Sequence, residues 1–129
     1  MPLLELRKHS RYDYSPLPER PTFDWPEGKR LAVCVCNNIE VFSFGNGLGS
    51  DSASITAPQT SRNYAWRDYG NRVGQWYLFD LLDEFGFPAS HNFNSLLFEN
   101  CPQIAERIRA RGDEFVGHGR TNGERQDAL

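Results

Sequence analysis

The sequence predicts an α/β fold built on a parallel sheet, with strands and helices alternating along the chain. Three observations support this prediction. A continuous apolar run, Leu31–Cys36, is typical of a parallel strand buried on both faces. Apolar residues then recur at helical spacing between Val73 and Phe85. Two further strand-like segments, Pro88–Asn94 and Glu114–Gly117, flank a second helical segment, and this order indicates right-handed crossover connections.

The composition fits a compact domain that buries a core. The 129 residues suit one domain, and 39% of them are hydrophobic and 13% aromatic, which is too apolar for a disordered chain. The net charge of −3 provides no basic field, so we expect neither a nucleic-acid nor a membrane partner. No apolar stretch has the roughly 18–20 residues of a membrane span, and the N-terminus lacks a secretory signal. We therefore expect a cytoplasmic protein.

The first 28 residues predict an extended N-terminal arm lying on the sheet domain. Four prolines between Arg11 and Gly28 remove amide donors and fix φ, so neither a helix nor a central strand is expected there. We assign residues 29–129 to the sheet domain. Its first predicted strand is Arg30–Asn38.

The cysteines at the start of this domain are interpreted as buried free thiols. Cys34 and Cys36 alternate within the predicted strand, so their side chains share a face. Their spacing is shorter than the CxxC spacing that is typical of zinc sites.

The remaining elements follow in order along the chain. Val41–Arg62 predicts a long loop, because Gly, Ser and Asn dominate it and its periodicity is weak. Gly86 and Pro88 end the first predicted helix. The second predicted helix starts with Asn100 as a cap and proline in its first turn, and it ends at Gly112.

Polar residues at two predicted strand ends form the candidate site. Ligands of parallel sheets and barrels bind beyond the carboxyl ends of the strands, which selects Asn37–Glu40 and His118–Asn122. Glu40 and His118 are the candidate catalytic pair, because a carboxylate and an imidazole at corresponding strand ends can converge for acid–base chemistry. The alternative is a solvated loop carboxylate and a hydrogen-bonding histidine at the rim.

Four stretches along the chain resemble, in order, the motifs of one enzyme superfamily. Asn38–Glu40 occupies the place of a paired acidic motif, Asp68–Gly74 resembles a helix start, and Leu81–Ser90 resembles a helix-to-strand segment. Arg109–Gly119 resembles a segment that carries a histidine motif. Together they resemble the polysaccharide deacetylases (carbohydrate esterase family 4), in the branch of the deacetylase-like allantoinases. This resemblance, from about Trp25 to Gln126, implies the N-terminal portion of a deacetylase-type (β/α) barrel.

The resemblance also implies a reaction. Allantoinase-like members hydrolyse a C–N bond of a cyclic ureide, so the implied substrate is a small cyclic amide, imide or ureide opened by water. Glu40 or His118 would activate the water. The residues expected to bind the substrate or its developing oxyanion are Asn38, Arg67, Arg72, Arg120 and Asn122. Each arginine has an alternative role as a surface or salt-bridging residue.

Two departures from the superfamily pattern bear on metal binding. Metal-dependent deacetylases carry a catalytic aspartate and a second histidine where this chain has Asn38 and Asn122. An amide does not titrate near neutral pH and is a poor zinc ligand. We therefore expect no cofactor, with a weak zinc or other divalent-metal site of Glu40, His118 and Asn122 as the alternative. The alternative functions are an N-acetyl-sugar deacetylase and a catalytically incompetent binding or assembly module.

The number of predicted strands bears on assembly. A complete barrel of this superfamily has about seven strands and, like other α/β barrels, about 200 residues or more, whereas this chain supplies three strands. The last predicted strand would be an unpaired edge, which a monomer in water tolerates poorly. We therefore expect a homo-oligomer, or a complementary chain that completes the barrel.

Overall fold

The computed structural model describes residues 9–45 and 59–124. These residues divide into two units, with the boundary between Val33 and Cys34. The first eight residues of the predicted arm, residues 46–58 of the predicted loop and residues 125–129 of the predicted sheet domain lie outside the described residues.

The N-terminal unit contains two short 3₁₀ turns, Leu17–Glu19 and Pro26–Gly28. Each turn has a proline at one of its first two positions, where a missing N–H needs no partner. The Arg20 guanidinium donates from Nε to the Ser15 carbonyl oxygen at 2.9 Å. The docking of this unit as an arm on a barrel stays a prediction.

The second unit contains a three-stranded parallel sheet with the strand order β1–β2–β3. The strands are β1 (Val35–Ile39), β2 (Ala89–Phe93) and β3 (Glu114–Gly117). β1 and β2 pair with Val35 opposite Ala89, and β2 and β3 pair with Ser90 opposite Glu114. The prediction of an α/β fold with three parallel strands is confirmed.

The start of β1 was predicted incorrectly. The strand was expected from Arg30, but it begins at Val35. In the observed register, the β2-side residue that would face Cys34 is Pro88, which has no N–H to donate to a ladder. The pairing therefore cannot extend toward the amino end.

The long helical region between β1 and β2 has three parts. They are α1 (Ser61–Tyr69), a π-helical turn (Gly70–Gly74) and α2 (Gln75–Glu84). The Thr60 hydroxyl caps α1 by accepting from the Asn63 amide at 3.2 Å. The helical region begins well before Val73, where the apolar periodicity predicted it. The reason is that α1 contains no buried residue and so carries no apolar stripe.

Between β2 and β3 lie a short helix, α3 (Leu97–Asn100), and α4 (Pro102–Arg111). Gly112 ends α4 in the left-handed region at φ 73°, which glycine adopts without strain. The predicted proline in the first turn of the second helix, its end at Gly112 and the bounds of the third strand agree with this structure. The prediction of Asn100 as the cap is wrong, because Asn100 is the last residue of α3 and its side chain donates to the Leu96 carbonyl oxygen. No helix in the described ranges is long and apolar enough to cross a membrane.

The core forms on one face of the sheet. Ile39 of β1 and Phe93 of β2 pack with Phe79 of α2, Leu97 of α3 and three α4 residues, Ile104, Ala105 and Ile108. The predicted burial of the strands on both faces is wrong for β1, because the alternate residues Cys36 and Asn38 are exposed.

The other sheet face is polar. The Asn92 amide donates to Asn38 Oδ1 at 2.6 Å, and the Ser90 hydroxyl donates to Glu114 Oε2 at 2.8 Å. The predicted burial of Cys34 and Cys36 is also wrong, since both thiols are exposed. Cys34 precedes the strand, and Cys36 lies on this polar face.

Candidate functional site

The candidate catalytic pair meets at the carboxyl edge of the sheet. Glu40 directly follows β1, and His118 directly follows β3. The His118 Nε2 and Glu40 Oε1 atoms are 3.2 Å apart, although 78 residues separate them in sequence. Their side chains are 35% and 30% exposed, so water reaches both. The predicted proximity is confirmed, whereas the catalytic role stays a prediction.

A buried amide holds the two strand ends in place. Asn94, which follows β2, is fully buried, and its Oδ1 accepts from the Val41 amide at 2.9 Å. Its Nδ2 donates to the His118 carbonyl oxygen and to Asn122 Oδ1, the latter at 3.0 Å. One side chain therefore ties the loop after β1 to the loop after β3. The sequence analysis missed this residue, although the rule that selects strand ends applies to β2 as well.

The π-helical turn contributes a second contact to the β1 end. Asn71 donates from Nδ2 to the Glu40 carbonyl oxygen at 2.7 Å. Single π-helical turns interrupt the regular i, i+4 ladder and are frequent at functional sites. In this chain the turn brings Gly70, Asn71 and Gly74 to the wall of a cavity beside Glu40.

This cavity, which we call the Glu40 cavity, has a volume of about 280 Å³. It lies between β1 and the helical region, and its polar wall consists of Asn37, Asn38, Glu40, Arg67, Asn71 and Gln75. His118 does not line it. His118 instead lines a separate apolar cavity of about 330 Å³ with aromatic walls. Glu40 therefore both lines the polar cavity and contacts His118, its partner in the candidate pair.

The three predicted substrate-binding arginines lie in different environments. Arg67 lines the Glu40 cavity, with its Cζ 4.1 Å from the centroid of the Phe42 ring. Arg72 donates from Nε to Asp68 Oδ2 at 2.5 Å, and this hydrogen bond raises the pKa of Arg72. Arg120 is ion-paired with Glu124, four residues later. Only Arg67 of the three lines this cavity.

The two predicted substrate-binding asparagines are both engaged by other amides. Asn38 accepts from Asn92, and Asn122 accepts from Asn94. The Asn122 amide N–H also donates to the Val41 carbonyl oxygen at 3.0 Å. Both side chains therefore contribute to the structure of the strand ends.

The donor set does not fit the three-ligand zinc site of classical deacetylases. Glu40 and His118 supply one carboxylate and one imidazole, and the Asn122 side-chain oxygen accepts a hydrogen bond from Asn94. In residues 9–45 and 59–124, no group of three His, Cys, Asp or Glu side chains is arranged to hold a metal ion. Protein zinc sites require three such ligands or more.

A second polar cluster lies under the core face of the sheet. His91 is fully buried, and its Nε2 lies 3.1 Å from Asp113 Oδ2, which also accepts from Arg111 Nε at 2.6 Å. Asp113 Oδ1 accepts from the Ala89 amide at 3.0 Å. Burial alone raises the pKa of Asp113, but the hydrogen bonds from Arg111, His91 and Ala89 outweigh it and leave that pKa below its usual value. Asp113 is therefore ionised at neutral pH.

In comparisons with known proteins, no protein-family model, curated protein or solved structure matches the chain. The resemblance to the deacetylases therefore depends on the sequence motifs alone.

Proposed function

We propose that this chain carries the N-terminal half-site of a hydrolase that acts on non-peptide C–N bonds. The proposed substrate is a small cyclic amide, imide or ureide. The observation that supports this most directly is the 3.2 Å contact between Glu40 Oε1 and His118 Nε2. A carboxylate and an imidazole in contact, both partly exposed beyond strand carboxyl ends, are typical of general acid–base catalysis.

Ring opening by water needs a base for the attacking water and an acid for the departing nitrogen. With a proton on Nε2, His118 donates to Glu40, which leaves the carboxylate as the proton acceptor. The water oxygen bonds to the carbonyl carbon while its proton passes to Glu40. The C–N bond then breaks, and the nitrogen leaves with a proton returned by the pair. The product has gained one water, so atoms and charge balance.

Arg67 is the preferred group for stabilising the developing oxyanion. It lines the same cavity as Glu40, and a planar guanidinium presents several N–H donors in a fixed geometry. Removal of one oxyanion donor typically lowers the rate by about 10²–10³. Arg72 and Arg120 suit this role less well, because neither lines the Glu40 cavity.

The proposed reaction uses no metal, because among residues 9–45 and 59–124 no third ligand of suitable chemistry joins Glu40 and His118. A cytoplasmic location is part of the proposal, as is completion of the barrel by a homo-oligomer or a complementary chain. The support for these points comes from the sequence alone.

One observation favours a second function, that of a catalytically incompetent binding or assembly module. Asn38 stands where the superfamily has a catalytic carboxylate, and it forms an amide pair with Asn92 at 2.6 Å. Such a pair moves no proton near neutral pH. The same sheet edge would then bind a ligand without transforming it.

The deciding experiment is an assay of the full chain against allantoin, hydantoins, cyclic imides and N-acetylated sugar oligomers. We expect turnover of the cyclic compounds, with kcat/KM lowered about 10²–10⁴-fold by Glu40→Gln and by His118→Ala. Glu124→Gln is the matched control, since it removes a carboxylate that is paired with Arg120. Turnover confined to acetylated sugars would replace the proposal with a deacetylase, and turnover of nothing would replace it with the binding module.

A further inference from the structure

An apolar stripe runs along the outward side of the helical region between β1 and β2. Its residues follow one another at spacings of three or four, and five of the six are between 50% and 70% exposed. A contiguous exposed apolar surface of this kind marks a site of interaction, whereas apolar residues scattered singly do not. The members of this outer stripe are Trp66, Tyr69, Val73, Tyr77, Leu81 and Phe85.

The outer stripe faces away from the core. Gln75 and Phe79 are buried residues of α2. Tyr77 lies two residues after the first of them, and Leu81 lies two residues after the second. Two residues turn an α-helix by about 200°, so the stripe lies on the opposite side of α2 from the buried residues. No stripe residue lines the Glu40 cavity, so the stripe is a separate surface from the candidate site.

The π-helical turn keeps the outer stripe on one side of the helical region. Residues four apart on a regular α-helix are rotated by about 40° relative to each other, because the helix has about 3.6 residues per turn. A stripe with this spacing therefore winds around a long helix. The turn Gly70–Gly74 has the wider i→i+5 bonding and rotates the chain less per residue, which offsets part of this winding. The stripe residues of α1 and α2 thereby form one continuous surface.

The two ends of the outer stripe carry opposite charges. Arg62 lies four residues before Trp66, and Glu84 lies three residues after Leu81, so both charges are on the stripe side of the helices. Both are exposed, and neither forms an ion pair with another residue in the described ranges. An apolar surface with opposite charges at its two ends complements a copy of itself that is related by a two-fold axis.

The positions of these residues are symmetric about Val73. Tyr69 and Tyr77 lie four residues before and after it, and Arg62 and Glu84 lie eleven residues before and after it. In an antiparallel pair with the two-fold axis at Val73, Tyr69 is opposite Tyr77 of the partner subunit. Arg62 is likewise opposite Glu84 of the partner subunit. A parallel pair would instead place like charges together and align the two helix dipoles unfavourably.

We propose that the outer stripe is a homodimer interface, at which the helical regions α1–α2 of two copies of this chain pack antiparallel. Its aromatic side chains supply most of the binding energy, since Trp and Tyr dominate the energetics of protein interfaces. The charges at the two ends of the stripe set the orientation of the partner. The stripe contains no strand residue, so this contact differs from the completion of a barrel at a sheet edge. It does not rest on the proposed hydrolase function.

Sedimentation equilibrium of the full chain tests the dimer. At about 50 μM chain we expect a mass of twice the 14.8 kDa of one chain. Tyr77→Ser should raise the dimer Kd at least about 10-fold, because each subunit loses an aromatic contact at the centre of the interface. Tyr14→Ser is the matched control and should leave the Kd unchanged, since Tyr14 is even more exposed but lies in the N-terminal unit. Circular dichroism shows whether the variants are folded.

Charge reversal tests the antiparallel orientation. Arg62→Glu alone, or Glu84→Arg alone, places like charges opposite each other at both ends of the dimer and should raise the Kd about 10-fold. Combining the two substitutions restores opposite charges across the interface only if the helices are antiparallel. The Kd of the double variant should therefore return to within about 2-fold of the wild type. Both substitutions suit the helix dipole, since the acid is placed near the amino end and the base near the carboxyl end.

Three outcomes would overturn the inference. A wild type that sediments as a monomer does so whether or not the variants fold, and the outer stripe is then covered within one chain or left in water. A dimer whose Kd is the same with Tyr77→Ser, or changes equally with Tyr14→Ser, is held by a different surface. A double charge variant that dimerises no better than the single variants excludes the antiparallel pair. Turnover of a substrate, or its absence, bears on none of these measurements.

Discussion

The amino and carboxyl ends of the sheet are held together by different chemistry. At the amino end, the side chains of Asp113 and Arg111 are 2% and 7% exposed, and their charges compensate each other inside the protein. At the carboxyl end, the neutral amide of Asn94 holds the strand ends, while the charges of Glu40 and His118 remain partly exposed. The charges at the amino end are thus committed to the fold, and those at the carboxyl end are available to a ligand.

The largest effect is expected from breaking the ionic cluster at the amino end. Asp113→Asn leaves Arg111 buried with one anionic partner, Asp83, among the described residues. Removing one member of a buried ion pair typically costs about 3–5 kcal/mol. The measurement is the free energy of unfolding in urea. Asp80→Asn, on the exposed side of α2, is the control and should change stability by less than about 0.5 kcal/mol. Equal effects of the two substitutions would show that the cluster does not hold the amino end.

A smaller loss of stability, but a larger loss of function, is expected at the carboxyl end. Asn94→Ala leaves the Val41 amide and the His118 carbonyl oxygen without their partner, which costs about 1–3 kcal/mol. We expect kcat to fall more than KM rises, because Asn94 positions the proposed catalytic pair and does not line the Glu40 cavity. Asn100→Ala serves as the control, because it removes an exposed hydrogen bond from the Asn100 side-chain amide to the Leu96 carbonyl oxygen. Unchanged kcat in folded Asn94→Ala protein would contradict the positioning role.

The elements of the fold and the residues of the candidate site could be predicted from the sequence to different extents. β3 and α4 were predicted closely, because Pro102 and Gly112 are local signals of where a helix begins and ends. The start of β1 was not predicted correctly. It depends on Pro88, which precedes β2 and is distant from β1 in sequence. α1 was missed as a helix because it buries no side chain, and only buried faces leave a periodic apolar pattern.

For the site, the rule that ligands bind at strand carboxyl ends was enough to bring Glu40 and His118 together. The role of Asn94 could not be predicted in the same way. An asparagine or glutamine has both a donor and an acceptor, and which of them it presents depends on partners far away in sequence. For Asn94 those partners are Val41, His118 and Asn122.

A third prediction uses pH to separate the two ends. The folded-state pKa of Asp113 is lowered, so its stabilising contribution is present above the unfolded-state pKa of about 3.9 and is lost as pH falls through the lower folded-state value. The difference in unfolding free energy between wild type and Asp113→Asn should therefore shrink below about pH 4. The difference between wild type and Asn94→Ala should stay constant, because an amide does not titrate. Urea unfolding at pH 6, 4 and 3 measures both differences in unfolding free energy. If the two differences changed with pH in the same way, the proposed distinction between the two sheet ends would be wrong.

The smallest effect is expected from zinc, which tests whether the exposed charges of the carboxyl end form a metal site. The available ligands are the Glu40 carboxylate, the His118 imidazole and the Asn122 amide, which is already hydrogen-bonded to Asn94. They make a poor zinc site, so we expect a Kd for zinc no tighter than about 100 μM. At 100 μM zinc, mass action then raises the free energy of unfolding by at most about 0.4 kcal/mol.

This measurement requires Cys34→Ser and Cys36→Ser in the background, because both thiols are exposed and thiolates bind zinc themselves. Adding Glu40→Gln to that background should abolish even the small stabilisation, since it removes the carboxylate ligand that the exposed pair supplies. Near-stoichiometric zinc in protein purified without chelator, lost on Glu40→Gln, would contradict this prediction. The Asn122 side-chain oxygen would then bind the metal instead of accepting the hydrogen bond from Asn94. The carboxyl end would be an ionic site like the amino end, with the metal cation in the role that Arg111 has there.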